Sequence, residues 1–132
     1  MTEDRIELLR AGYEAFNRGD HEWLLVRAAP DFVAQDRPEI PDPQVHHGRE
    51  GAARAMDAAR AEFDEYCVEP REVIEVGDHV VVVAQQSGRG RTSGVTVEGD
   101  IVHVWGYRGG EIISLRAFSS REEALAAAQA GV

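Results

Sequence analysis

The sequence predicts an α+β fold in which helices pack on a curved, mostly antiparallel sheet. Apolar residues in the first half of the chain recur with the spacing of helices. In the second half, short apolar or alternating segments are separated by glycine-containing turns, as expected for consecutive antiparallel strands. The 132 residues contain no repeat and no linker-like segment, so we expect one domain that spans residues 1–132.

Three helices are predicted in the first half of the chain. The first is capped by Thr2 and ends at Gly19, with acidic residues in its opening turn, Glu3 and Asp4. The second is short, follows a cap at Asp20 and ends before proline 30. The third is predicted over residues 49–66. Its buried stripe consists of Ala52, Met56, Ala59, Phe63 and Tyr66.

A short strand over residues 31–36 separates the second and third helices. Phe32, Ala34 and Asp36 share one parity, so Asp36 faces the core if Phe32 does. The following segment, residues 37–48, contains three prolines and the adjacent histidines His46 and His47. We interpret it as an extended loop at the rim of a cavity.

Four strands are predicted in the second half, over residues 68–76, 79–84, 100–107 and 111–118. Pro70 limits the first of these strands to a sheet edge or a bulge, because proline lacks the N–H that a central strand needs. Gly77 and Asp78 form the turn to the second strand, which is apolar on both parities and therefore central. A capping box beginning at Ser120 predicts a short C-terminal helix.

The hairpin over residues 100–118 places one histidine among large apolar side chains. Residues 101, 103, 105 and 107 share one face of the strand, which puts His103 beside Trp105 and Tyr107. In the returning strand Leu115 belongs to the apolar face. On the opposite face we expect an exposed apolar row that a second copy covers, giving a homodimer. The row consists of Val102, Val104, Ile112 and Phe118.

Composition limits the kinds of partner. The formal net charge is −10 and the sequence has no lysine, which argues against nucleic acid and against an anionic membrane surface. Cys67 is the single cysteine, so no intrachain disulfide is expected. No segment resembles a signal peptide or a membrane span, and we expect a soluble cytoplasmic protein. Abundant alanine, glycine and arginine indicate a bacterial origin.

Several segments resemble the SnoaL-like branch of the nuclear-transport-factor-2-like superfamily. They are YEAFNRGD at 13–20, PD at 30–31, HGREG at 47–51 and GGEII at 109–113. The resemblance covers nearly the whole chain and implies a cone-shaped fold. Ketosteroid isomerase, SnoaL-type polyketide cyclases, scytalone dehydratase and limonene-epoxide hydrolase are enzymes with this fold, so the resemblance does not name one reaction.

Matched by position, the resemblance to ketosteroid isomerase suggests roles for individual residues. Asp36 falls where that enzyme has its general base, at the end of the first strand. His103 holds the place of its protonated aspartate, the oxyanion donor, and Tyr13 stands one residue away from its helix-one tyrosine. The Asp-Arg-Asp set of limonene-epoxide hydrolase fits less well, because Arg116 has the outward parity.

Each candidate also has a structural interpretation. Asp36 can be a solvated carboxylate at a strand end, His103 a core histidine bonded to backbone, and Tyr13 a helix-packing residue. Trp105 and Tyr107 either line a cavity or fill it. His46 and His47 are adjacent and have no partner at ligand spacing, so we expect no metal site.

We therefore expect a site for a small hydrophobic molecule, with Asp36, His103 and Tyr13 as catalytic candidates and no cofactor. The predicted walls are Phe32, Met56, Phe63, Trp105, Tyr107 and Leu115. The chemistry that suits them is acid/base chemistry on a hydrophobic carbonyl compound, as in an isomerase, a polyketide cyclase or a dehydratase (a lyase). The alternative is a noncatalytic ligand-binding or dimeric accessory domain of the same fold.

Overall fold

The computed structural model describes residues 2–61 and 63–131. The side chains of residues 2–4 and 59 lie outside this description, and with them the predicted cap and first-turn charges at Thr2, Glu3 and Asp4 and the predicted burial of Ala59. Within the described ranges, no helix is long and apolar enough to cross a lipid bilayer.

Three helices precede most of the sheet and a fourth follows it. They are α1 (Thr2–Asn17), α2 (Glu22–Arg27), α3 (Gly48–Ala61) and α4 (Arg121–Gln129). Gly19 follows α1 with a φ of 83°, the left-handed conformation that ends helices. Ser120 caps α4 by accepting a hydrogen bond from the backbone N–H of Glu123 at 3.1 Å, as the capping box predicts.

Six strands form one sheet in the order β2-β1-β6-β5-β4-β3. The strands are β1 (Ala28–Gln35), β2 (Val45–His47), β3 (Phe63–Val76), β4 (His79–Gly90), β5 (Thr96–Arg108) and β6 (Glu111–Phe118). Neighbouring strands are antiparallel except for β1 and β6, which run parallel. The α+β class and the mostly antiparallel sheet of the prediction are therefore observed.

Strand β4 is central, as its apolar residues on both parities predict. Val80, Val81 and Val82 have no exposed surface. Strand β3 lies at the edge, and its register with β4 shifts between Pro70 and Glu72, where proline interrupts the ladder. The loop predicted over residues 37–48 contains one short strand, β2, which pairs with the end of β1.

The predicted end of the third helix is wrong. Helix α3 ends at Ala61, so Phe63 and Tyr66 belong to β3 rather than to a helical stripe. Both rings pack over Gly88 of β4, whose missing side chain leaves space for them. Although Phe63 and Tyr66 have a helical spacing, this segment is a strand because it pairs with β4, beginning with Phe63 opposite Gly90.

The two faces of the sheet are covered by different helices. Helices α1, α2 and α3 pack on one face, around Leu9, Phe32 and Val82. Helix α4 packs on the other, where Ala124 and Ala128 contact the cluster formed by Val81, Val102 and Val104. We call these the inner face and the outer face.

The exposed row on which the homodimer was predicted is not present. Val102 and Val104 are each 1% exposed because α4 covers them. Ile112 lies on the inner face instead, since the β5–β6 register shifts between Gly106 and Tyr107 and reverses the parity of Ile112 relative to Leu115. The homodimer stays a prediction without this row to support it.

Candidate functional site

The inner face of the sheet and the helices above it enclose a cavity of about 190 Å³. Leu9, Tyr13 and Phe16 of α1 form one wall, and Met56 of α3 contributes to another. Most of the remaining wall comes from β1, β5 and β6, whose inward side chains are mainly apolar. A cavity of this size and lining is typical of sites for small apolar molecules with a few fixed polar groups.

Most of the predicted site residues line this one cavity. They are Tyr13, Phe32, Asp36, Met56, His103, Trp105 and Leu115. The inward parity of Asp36 and His103 therefore brings the two candidates to a shared space, which is the arrangement that an acid/base site requires.

Phe63 and Tyr107 are not among the lining residues. Phe63 stacks on Tyr66, with ring centroids 5.3 Å apart, and Tyr66 in its place reaches the cavity. Tyr107 lies on the inner face beneath the guanidinium of Arg5, which is 4.5 Å from its ring centroid. Burial raises the pKa of Tyr107 to about 12, against an opposing effect of Arg5.

A chain of hydrogen bonds joins the three polar aromatic groups. The indole Nε1–H of Trp105 donates to the hydroxyl oxygen of Tyr13 at 3.1 Å. The same hydroxyl lies 2.7 Å from Nδ1 of His103. Because the indole can only donate, the Tyr13 oxygen accepts that bond, and its own proton is left to donate to Nδ1 of a neutral imidazole.

Burial keeps the imidazole neutral. The pKa of His103 falls from 6.5 to about 4, chiefly because burial disfavours the charged form and also because the positive charge of Arg37 opposes protonation. Burial also raises the pKa of Tyr13, so its hydroxyl retains its proton. With Nδ1 accepting from Tyr13, the proton of neutral His103 resides on Nε2.

The Nε2–H of His103 is thus available to a ligand. Among residues 2–61 and 63–131 no side chain or backbone group forms a hydrogen bond with Nε2, and the atom is not sealed from the cavity. A neutral N–H donor in an apolar space favours a ligand with a hydrogen-bond acceptor such as a carbonyl oxygen.

Asp36 lies at the edge of the cavity, where the chain leaves β1. It is half-buried, and its Oδ2 accepts a hydrogen bond from the backbone N–H of Gln44 at 2.9 Å. Its own backbone N–H donates to the Gln44 carbonyl at 3.1 Å. The first bond orients the carboxylate and the second fixes the backbone beneath it, and Oδ1 has no hydrogen-bond partner in the described chain.

Three aromatic residues of the cavity wall, Phe16, Trp23 and Tyr66, were not among the walls predicted from the sequence. Trp23 of α2 lines the cavity and sits against Gly12, where an added Cβ would lie only 2.7 Å from the indole. Tyr66 donates a hydrogen bond to the side chain of Gln86 at 2.7 Å. Gly12 in the first helix was a possible sign that a large side chain packs there. The position of Tyr66 could be predicted only with the correct end of α3, because that end places Tyr66 in β3.

The predicted absence of a metal site rested on His46 and His47. Both belong to β2, where they pair with Ala34 and Val33. In the described part of the chain no group of three His, Cys, Asp or Glu residues is arranged to hold a metal ion.

Comparison with known proteins gives one family and many similar folds. The sequence profile of the SnoaL-like domain family matches residues 9–115. No curated protein matches. A hypothetical protein with a ketosteroid isomerase-like fold from Catenulispora acidiphila, in complex with trimethylamine, is 22% identical with a TM-score of 0.75; the match covers 96% of this chain and 93% of that one.

Two further solved structures are similar over most of their length. A candidate polyketide cyclase from Sinorhizobium meliloti is 27% identical with a TM-score of 0.66, over 84% of this chain and 93% of that one. TerC, co-crystallised with polyporic acid, is 24% identical with a TM-score of 0.74, over 94% and 97%. The family match, the inner-face cavity and the sheet order agree, and the chain belongs to the SnoaL-like family of the nuclear-transport-factor-2-like superfamily.

Proposed function

We propose that this protein is a cofactor-independent acid/base enzyme that acts on a small hydrophobic carbonyl compound, in the manner of an isomerase, a cyclase or a dehydratase. The observation that carries the proposal is that Asp36 and His103 line the same apolar cavity. Asp36 offers an oriented carboxylate, and His103 offers a neutral N–H donor held by Tyr13.

The chemistry follows from the two groups. The Asp36 carboxylate removes a proton from the carbon next to the carbonyl, and the electron pair of that C–H bond moves toward the carbonyl oxygen. The Nε2–H of His103 donates a hydrogen bond to the oxygen as negative charge develops there. The proton on Asp36 then returns to another carbon or to a leaving hydroxyl, so the step needs no external oxidant or reductant.

Tyr13 acts in this proposal as a positioning residue. Its hydroxyl is engaged on one side by Trp105 and on the other by His103, and the residue is only 6% exposed. By donating to Nδ1 it holds the imidazole in the tautomer with the proton on Nε2. This assignment differs from the direct catalytic role first suggested for Tyr13.

Support also comes from structural neighbours that were solved with small molecules. One neighbour was solved with trimethylamine and another with polyporic acid, and a third is a candidate polyketide cyclase. The two complexes are consistent with a small-molecule ligand in the inner-face cavity.

The test is a screen of small enones, polyketide mimics and epoxides for turnover, followed by substitution of the base. Asp36→Asn preserves the shape of the side chain and should lower the rate by about 10²–10⁴, the range typical of losing a general base. Asp31→Asn is the matched control, because Asp31 is an exposed aspartate of β1, the strand that precedes Asp36, and is paired with Arg108. Full activity of Asp36→Asn would contradict the proposal.

The second candidate is a ligand-binding protein without turnover. It is favoured by the position of Asp36, which also lines a second cavity of about 200 Å³ and has no hydrogen bond to His103. In that case compounds bind the inner-face cavity, and Asp36→Asn changes neither their affinity nor their chemical fate.

A further inference from the structure

Asp36 and His103 lie on either side of one small residue, Ala117 of β6. Strand β6 lies between β1 and β5, and Ala117 pairs with His103 of β5. On the other side β1 runs parallel to β6, with Gln35 opposite Arg116, so the next residues, Asp36 and Ala117, come level. Because neighbouring strands are about 4.8 Å apart, the backbones of Asp36 and His103 are separated by about 10 Å, with the methyl group of Ala117 between them.

The space over Ala117 is at the edge of the inner-face cavity. Asp36 and Ala117 line this cavity and also the second one, so the two cavities adjoin there. The next inward-facing residues of β6 and β5 are Leu115 and Trp105, which pair with each other and line the inner-face cavity. A carbonyl group over Ala117 therefore lies between the base and the N–H donor, while an apolar body extends inward over Leu115 and Trp105.

The interior of the cavity is walled by aromatic side chains from five elements. They are Tyr13, Phe16, Trp23, Phe32, Tyr66 and Trp105. The rings of Tyr13 and Trp105 meet edge to face at 84°, and so do those of Phe16 and Tyr66. Aromatic rings attract one another in edge-to-face and offset arrangements, beyond the effect of buried area. These walls therefore favour an aromatic ring over a saturated ring of the same size.

The cavity has room for one ring. Its volume is about 190 Å³. An apolar protein cavity of about 150 Å³ holds one benzene molecule, whereas sites for drug-sized ligands measure about 300–1,000 Å³. The space therefore fits a benzene ring with a short carbonyl substituent, and a second fused ring would press on the walls.

We infer that the ligand is an aryl carbonyl compound with a single aromatic ring, and that its carbonyl group lies over Ala117, between Asp36 and His103. The ring lies deeper, among the aromatic side chains. Ala117 determines specificity, because its small side chain leaves room for the carbonyl group and the neighbouring carbon. The inference rests on the proposed function, since it takes the carbonyl oxygen as the group that Nε2–H of His103 binds.

Three ketones test the ligand class, and their affinities for the wild type are measured by titration calorimetry. Acetophenone has one aromatic ring, 2-acetylnaphthalene adds a fused ring, and cyclohexyl methyl ketone has a saturated ring instead. Acetophenone should bind about tenfold or more tightly than 2-acetylnaphthalene, a difference typical of overpacking, although the larger apolar area of the naphthalene would favour it in an unrestricted site. Acetophenone should also bind about threefold or more tightly than cyclohexyl methyl ketone.

Three variants locate the bound ketone. Ala117→Leu fills the space between the base and the donor and should weaken acetophenone binding about tenfold or more. Met56→Ala enlarges the cavity and should raise the affinity for 2-acetylnaphthalene about tenfold or more. Val104→Ala is the control, because it removes buried packing on the outer face, and it should change neither affinity.

Three results would overturn the inference alone. The first is wild-type binding of 2-acetylnaphthalene as tight as that of acetophenone, and the second is equally tight binding of cyclohexyl methyl ketone. The third is an unchanged affinity for acetophenone in Ala117→Leu. Each of them leaves the proposed function standing, since a carbonyl compound still binds. If none of the three ketones binds, the cavity is not a site for carbonyl compounds, and the proposed function fails together with the inference.

Discussion

The inner and outer faces of the sheet are made by the same strands but differ in what covers them. On β5, Val102 and Val104 point outward and are sealed by the alanines of α4. Their neighbours Ile101, His103 and Trp105 point inward and line a cavity of about 190 Å³. Small aliphatic side chains meet on the outer face, whereas aromatic and polar groups surround an open space on the inner one.

The difference shows that alternate residues of one strand serve two functions, stability on one face and ligand binding on the other. The outer face contributes stability through close packing, in which each methyl group has contacts. The inner face gives up part of that packing to hold His103, Tyr13 and Trp105 around a ligand-sized space. Changes on the inner face should therefore alter ligand binding and protonation, and changes on the outer face should alter stability.

The largest effect on stability is expected from pH, through an inner-face group. The pKa of native His103 is about 4 against an ordinary value of 6.5, so below pH 6.5 the unfolded chain binds more protons than the native one. The free energy of unfolding should thus fall as pH decreases from 6.5 to 4, by at most about 3 kcal/mol, and this contribution should level off below pH 4.

Urea unfolding between pH 7 and 4 measures this dependence. His103→Gln should flatten the curve within that window, whatever its effect on stability at pH 7. His47→Gln, at an exposed histidine of β2, serves as the control for loss of an imidazole. An unchanged slope in His103→Gln would show that the burial of this ring does not control its titration.

A matched pair of substitutions contrasts the two faces directly. Ala52 and Ala124 are both fully buried, the first beside the cavity and the second on α4, where it packs against the outer face. Ala124→Leu should lower the free energy of unfolding by about 1–3 kcal/mol, because the added atoms have no space. Ala52→Leu should cost less, because its side chain extends into the cavity.

Ligand binding should respond in the opposite way. Ala52→Leu should abolish the binding of a compound that the substrate screen shows to bind the wild type, as measured by calorimetry, while Ala124→Leu should retain it at a temperature where the variant is folded. Equal destabilisation by the two substitutions would mean that the inner face is packed as closely as the outer one.

Tyr13→Phe, which removes one hydroxyl from the inner face, is expected to change stability by a similar amount. Nε1–H of Trp105 and Nδ1 of His103 would each lose their partner, which should cost about 1–3 kcal/mol of unfolding free energy. Nitrogen-15 NMR should show His103 of the wild type protonated on Nε2 and a mixture of tautomers in the variant. A single unchanged tautomer in the variant would contradict the positioning role of Tyr13.

The sequence predicted a site residue correctly where the alternation of side chains along a strand was enough and the bounds of that strand were right. Asp36 and His103 were placed inward by alternation alone, and both line the cavity. Phe63 was misplaced because its spacing also suits a helix, and pairing with β4 decides between the two. Ile112 was placed on the wrong face because a register shift, which no local pattern reveals, reverses the parity.

By itself, the sequence determined the class of fold, the two-faced character of β5 and the inward direction of Asp36 and His103, because these follow from local periodicity. The tertiary structure decided what depends on distant contacts. Tyr13 and Trp105 are 92 residues apart, and only folding joins them to His103. Burial of the imidazole and the cover that α4 gives the outer face likewise arise from packing between segments remote in sequence.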